Sequence, residues 1–174
     1  RAPMHGPRDM PRTPRGDCAG AFYHISNRGV ARRTLFEREH DFRFFLATLI
    51  GATQVGWIEL HAYCLMFNHF HLLVRSVEGN LGECMRRITG PFTQQRNRRT
   101  GGDGPVFRGR YRAQLVTDEA YLRHLVAYIH LNPVRANLVQ RPDEDCWTSY
   151  QALLGLDTPP AWLCRDLVEK QLGV

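Results

Sequence analysis

The stretch from His61 to Ser76 constrains the fold more than any other part of the chain. Two apolar, β-favouring runs, His61–Met66 and Phe70–Val74, are separated by Phe67-Asn68, where a turn is expected. A strand alternates its side chains, so His69 and His71 share one face while Phe70, Leu72 and Val74 take the other. The apolar set can bury against helices, which leaves two imidazoles together on the opposite face. Neutral imidazoles side by side suit a divalent cation. Two surface histidines with no ligand are the plain alternative.

The flanks complete the pattern. Ala21–Asn27 reads as a first strand, and Arg28-Gly29 begins a turn. From Glu39 to Val55, Phe42, Phe45, Leu46, Leu49 and Ile50 recur at helical spacing, with Gly51 and Gly56 helping to end the helix. Trp57–Met66 and Phe70–Ser76 form the hairpin. Asn80 is the expected N-cap of a second helix, Leu81 to Arg99, rich in arginine. After a loop at Thr100–Pro105, Val106–Val116 reads as a fourth strand with Arg108, Arg110 and Arg112 on one face. Thr117 or Asp118 then caps a third helix ending near Leu131. The order β, α, β, β, α, β, α is α+β. It gives a ferredoxin-like, RRM-like antiparallel sheet with helices on one face and one further late helix. The expected division is a flexible basic tail at 1–19, one domain at 20–155 and an extension at 156–174.

Charge bears on the partner. Lys plus Arg is 23 against 17 Asp plus Glu, and Lys170 is the only lysine. Arginine's planar, always-charged fork suits phosphate. Three arginines alternating along one strand therefore point to a nucleic-acid backbone, against the plain reading of a solvated strand face. The five cysteines include no Cys-x-x-Cys pair, which argues against a zinc knuckle or a disulfide framework. No apolar run approaches the ~18 residues that span a bilayer. The expectation is a soluble, cytoplasmic, nucleoid-associated protein with no membrane partner.

In the third helix, Leu122, Val126 and Ile129 form the apolar stripe, and Tyr121, Leu125, Tyr128 and Asn132 an adjoining one. A face carrying Tyr128 and Asn132 that met the histidine pair would bring a hydroxyl and a carbonyl oxygen to a hard cation, Mg²⁺ or Mn²⁺. The plain readings are a half-buried core tyrosine, and an Asn132-Pro133 pair that opens a following turn. His24, His61 and His130 read as structural, and Trp147 and Tyr150 as packing residues.

These motifs resemble a known family. His69-Phe70-His71 matches the His-hydrophobic-His motif of the HUH endonuclease superfamily. Three blocks in order, Tyr63–Val74, Val106–Tyr111 and Tyr128–Ala136, look like a REP-associated tyrosine transposase, one of the single-tyrosine HUH transposases. The similarity covers about Ala21 to Tyr150. Phe67 stands where the family commonly has proline, and Asn137 where it commonly has glycine; asparagine tolerates the left-handed conformation.

The resemblance implies a metal-dependent endonuclease and strand transferase acting on single-stranded DNA at repetitive palindromic hairpins. Tyr128 would be the nucleophile, forming a 5′-phosphotyrosyl link, and His69, His71 and Asn132 would hold the metal. Arg28, Arg108, Arg110, Arg112 and Arg135 would contact DNA. His124, one turn before Tyr128, is a candidate base. A monomer is favoured over a homodimer. Two other readings stay open: a relaxase or replication-initiator nickase, and a non-catalytic nucleic-acid-binding regulator on an RRM-like sheet. The last would want aromatic residues where His69 and His71 stand.

Overall fold

The structure, a computed structural model, describes residues 17–172. Most of the expected basic tail lies outside the described residues. Four strands, β1 (Phe22–Arg28), β2 (Ile58–Met66), β3 (His69–Ser76) and β4 (Arg112–Leu115), form one antiparallel sheet in the order β2-β3-β1-β4. The helices are α1 (Glu39–Gln54), α2 (Leu81–Thr100), α3 (Glu119–Arg135), α4 (Tyr150–Leu153) and α5 (Asp166–Leu172). This is the expected ferredoxin-like α+β arrangement.

Alternation divides the sheet cleanly. Tyr23 and Ile25 of β1 pair with Val74 and Leu72 of β3, and Phe70 continues that face; all five are buried. Phe45 of α1 meets Phe70 at 4.9 Å between ring centroids, and Phe92 of α2 meets Phe45 at 5.3 Å. Phe36 and Phe107 close the aromatic cluster from the connecting segments. The opposite face carries His24, Ser26 and Arg28 of β1 beside His69, His71 and Leu73 of β3. That face is not wholly open, as the sequence suggested. α3 packs across β2 and β3, so only its β1–β4 half remains uncovered.

Several boundaries differ from those expected. Gly51 lies inside α1, and Gly56, with φ +75, follows its end. The segment 106–116 is not one strand. Gly109 adopts φ +92, Phe107 is buried, and the ladder begins only at Arg112. A positive φ breaks the pleat, so strand alternation is not what groups Arg108, Arg110 and Arg112.

Helix α3 does not stop near Leu131. It runs through the buried Pro133 to Arg135 and is followed by Asn137 at φ +54. Asn80 is the N-cap by position but makes no side-chain cap. The Asp17 carboxylate accepts the Leu81 N–H instead, and also the Ser76 hydroxyl at 3.2 Å. Trp147 stacks on Phe42 at 4.6 Å, the packing role expected of it.

The outer edge of β2 is covered. Leu65 N–H donates to the Trp147 carbonyl, Ser149 N–H to Tyr63, and Cys164 N–H to Leu60. Leu163 and Val168 are buried there, so the segments at 147–149 and 163–168 together seal an edge that would otherwise be free to pair.

Candidate nucleic-acid and metal site

The uncovered half of the second face is the floor of a cleft of about 810 Å³. Its walls are His24, Ser26, Asn27 and Arg28 from β1, Asn68, His69 and His71 from the hairpin, Arg108, Arg110, Arg112 and Gln114 around β4, Arg32, and Tyr128 from α3. Five arginines and no carboxylate line it. A concave surface with that balance concentrates polyanions.

The histidine pair sits where alternation put it. His71 is buried and His69 half-buried, with ring centroids 5.2 Å apart and nearly perpendicular. Burial, reinforced by His24 and His69 nearby, pushes His71 down to about 3. Burial also lowers His69 and His24. The rings are therefore neutral near pH 7, the form that offers a lone pair to a cation.

Each of the pair has a partner on Nδ1. That of His69 lies 2.7 Å from Asn68 Oδ1, and that of His71 lies 2.9 Å from His24 Nε2. His24 was expected to be structural, and its ring stands beside the pair. It lines the cleft and stacks on His71 at 5.1 Å.

Tyr128 arrives from the other side. Its ring centroid is 5.3 Å from His71 and 6.0 Å from His24, edge-on to both, and the residue is 36% exposed. It can therefore be reached from solvent and from the cleft at once. The spatial meeting of phenol and imidazole occurs within one chain. Arg135, about two turns further along α3, lies over the Tyr128 ring at 5.5 Å.

Asn132 is less exposed to the cleft than expected. It is buried, is not among the lining residues, and donates its amide to the Tyr128 carbonyl at 2.7 Å. That bond leaves Oδ1 as its only side-chain atom able to meet a cation. His124, the candidate base, is exposed and holds its Nδ1 on the Ala120 carbonyl, away from the lining set. Of the expected DNA contacts, Arg28, Arg108, Arg110 and Arg112 line the cleft, while Arg135 braces the tyrosine.

Sequence reasoning missed Arg32, Ser26, Asn27, Asn68 and Gln114 as well as His24. For His24 the signal existed: Ser26 pairs with His71, so His24 lies diagonally beside it on the same face. Arg32 had no comparable signal. It follows Ala31, and both take left-handed dihedrals without glycine or asparagine. Among the described residues, no group of three or more His, Cys, Asp or Glu side chains could hold a metal ion. No helix among them is long and apolar enough to cross a membrane.

No family profile matches this sequence, and no curated protein matches it. Among solved structures it is similar to one described as the "REP associates tyrosine transposase bound to a REP hairpin". The TM-score is 0.70, with 17% sequence identity over 91% of this chain and 93% of the other. At that identity the likeness establishes the fold.

Proposed function

We propose that this chain is a single-tyrosine, metal-dependent nickase and strand transferase for single-stranded DNA flanking palindromic hairpins. The observation that carries the reading is the position of Tyr128. Its phenol stands against His71 at the mouth of a cleft lined by five arginines and no carboxylate. The structural neighbour was solved with a REP hairpin, and this reading extends that substrate class to this chain.

The residues divide the work. Arg28, Arg32, Arg108, Arg110 and Arg112 hold backbone phosphates, and none of the five has a carboxylate partner among the described ion pairs. Tyr128 attacks the phosphorus. The bond to the 3′ oxygen breaks, leaving a 5′-phosphotyrosyl link and a free 3′-hydroxyl. As the new bond forms, the phenolic proton leaves to solvent on the exposed side of the ring, and Arg135 keeps the ring in line. The link conserves the phosphodiester bond, so a second 3′-hydroxyl can reverse it and complete a transfer.

The neutral imidazoles of His69 and His71 are a donor set that fits Mg²⁺ or, better, Mn²⁺, and Asn132 Oδ1 would add an oxygen if its side chain turned to the cleft. Such an ion, when bound, supplies Lewis-acid polarisation of a phosphate oxygen. One molecule carries the tyrosine and both histidines, which supports action as a monomer.

A second reading has one observation in its favour. The five arginines of the cleft would hold a hairpin without any chemistry, as a non-catalytic hairpin-binding regulator requires. One experiment separates the two. End-labelled hairpin DNA is incubated with the protein and Mg²⁺ or Mn²⁺, then run on a denaturing gel. A covalent adduct formed by the wild type and lost in Tyr128→Phe supports the nickase. Binding without adduct under either metal supports the regulator.

A further inference from the structure

We infer that His24 and Asn68 are positioning residues that set the ring tautomers of His71 and His69, so that both Nε2 atoms offer lone pairs to one cation. The inference rests on reading the cleft as a cation site. It adds an orienting layer of residues that the motif itself does not contain.

Asn68, in the turn between β2 and β3, is held by its backbone. Its carbonyl accepts from Gly29 N–H at 2.8 Å, and the preceding Phe67 carbonyl accepts from Leu35 and Phe36. Its side-chain amide nitrogen reaches toward the Arg32 carbonyl at 3.5 Å, which turns Oδ1 to His69 Nδ1 at 2.7 Å. An amide oxygen can only accept, so the hydrogen of this bond belongs to His69 Nδ1. A neutral imidazole has one ring hydrogen. His69 Nε2 is therefore a bare acceptor.

At His71 the partner is itself an imidazole. Its Nδ1 and His24 Nε2 are 2.9 Å apart, and one of the two must donate. If His24 donated, His71 would carry its own hydrogen on Nε2, the one nitrogen it has left for a ligand. If His71 donates, its Nε2 matches that of His69, and His24 keeps its hydrogen on Nδ1. Only the second arrangement turns the two β3 histidines into a like pair. Metal-bound imidazoles ordinarily give their other N–H to such a partner, which fixes ring orientation and raises ligand basicity.

Free imidazole side chains in water favour the Nε2–H form, so the assignment has a spectroscopic signature that needs neither metal nor activity. Long-range ¹H–¹⁵N spectra of the wild-type protein at neutral pH should show His69 and His71 as Nδ1–H tautomers. A wild-type His71 in the Nε2–H form overturns the inference, whatever the variants do. His24→Leu, with its fold checked by thermal melting, should shift His71 toward Nε2–H. It should also weaken Mn²⁺ binding, followed by electron paramagnetic resonance, by about ten- to hundredfold.

His24→Gln keeps an accepting oxygen near the same place and should restore most of both. Asn68→Ala should do to His69 what His24→Leu does to His71. Unchanged Mn²⁺ affinity in a folded His24→Leu, or a wild type that takes up no Mn²⁺, overturns the inference. If the tautomers and graded affinities hold but no DNA adduct forms, the positioning roles stand and only the strand-transfer reading falls.

Discussion

The two faces of the sheet treat arginine in opposite ways. On the side of α1 and α2, Arg96 is buried and donates to Glu37 at 2.5 Å and to the Thr34 carbonyl at 2.9 Å. Arg99 reaches the fully buried Asp41 at 2.9 Å. These guanidinium groups are neutralised within the molecule, beside a dry cluster of phenylalanines. On the other side, five arginines line a cleft that holds no acid. The first set fastens helices together, and the second waits for an anion from outside. Counting basic residues cannot separate them; their partners do.

The contrast breaks most severely on the aromatic side. Phe45→Ala removes a fully buried ring between Phe36, Phe70 and Phe92 and should cost about 3–5 kcal/mol of stability in denaturant melts. Any folded fraction should still bind DNA. A matched pair of arginine substitutions tests the two sets directly. Arg96→Ala should cost about 3 kcal/mol, because it strips one partner from a buried ion cluster. Its effect on DNA affinity should be slight. Arg108→Ala should leave stability within about 0.5 kcal/mol. It should weaken DNA binding and reduce the salt slope by about one ion in filter-binding titrations. If both variants lose stability equally, the distinction between the two arginine sets is wrong.

Acid should also tell the sides apart. Arg96 holds Glu37 down to about 2, so the ion cluster on the α1–α2 side persists in mild acid. His130 of α3, buried against Ser149, is pushed down by burial to about 4, and burial lowers His61 too. Each has a folded value below its unfolded one, about 6.5, so the unfolded chain binds protons first. Their contribution is complete above about pH 6.5 and drains as pH falls toward the folded values. Melting at about pH 5 should show roughly 1–2 kcal/mol less stability than at neutrality. A modest loss is expected from Asp17→Ala, which removes the cap on α2 and should cost about 1 kcal/mol in the same melts.

Local chemistry made the architecture readable. Helical spacing in α1, alternation in β2 and β3, and the Phe67-Asn68 turn are short-range signals, and together they allow few topologies. The same alternation placed His69 and His71 on one face, and the stripe on α3 presented Tyr128 to them. The features that escaped were non-local. Asp17 caps a helix that begins 64 residues later, and no propensity reports such a bond. His24 became a site residue only once β1 was paired with β3 in a definite register. Pro133 suggested a helix end, yet packing carried α3 through it. Some local cues were misread as well: Gly51 lies inside α1, Asn80 makes no side-chain cap, and Gly109, a lone glycine within a strand pattern, marks a break.

The phenol and the imidazoles sit on a single polypeptide, and under the proposed chemistry this governs the fate of a cut strand. The severed end stays tethered to the molecule that made it. Each copy then holds its own nucleophile and its own imidazoles, and it draws from outside a divalent ion and the incoming strand.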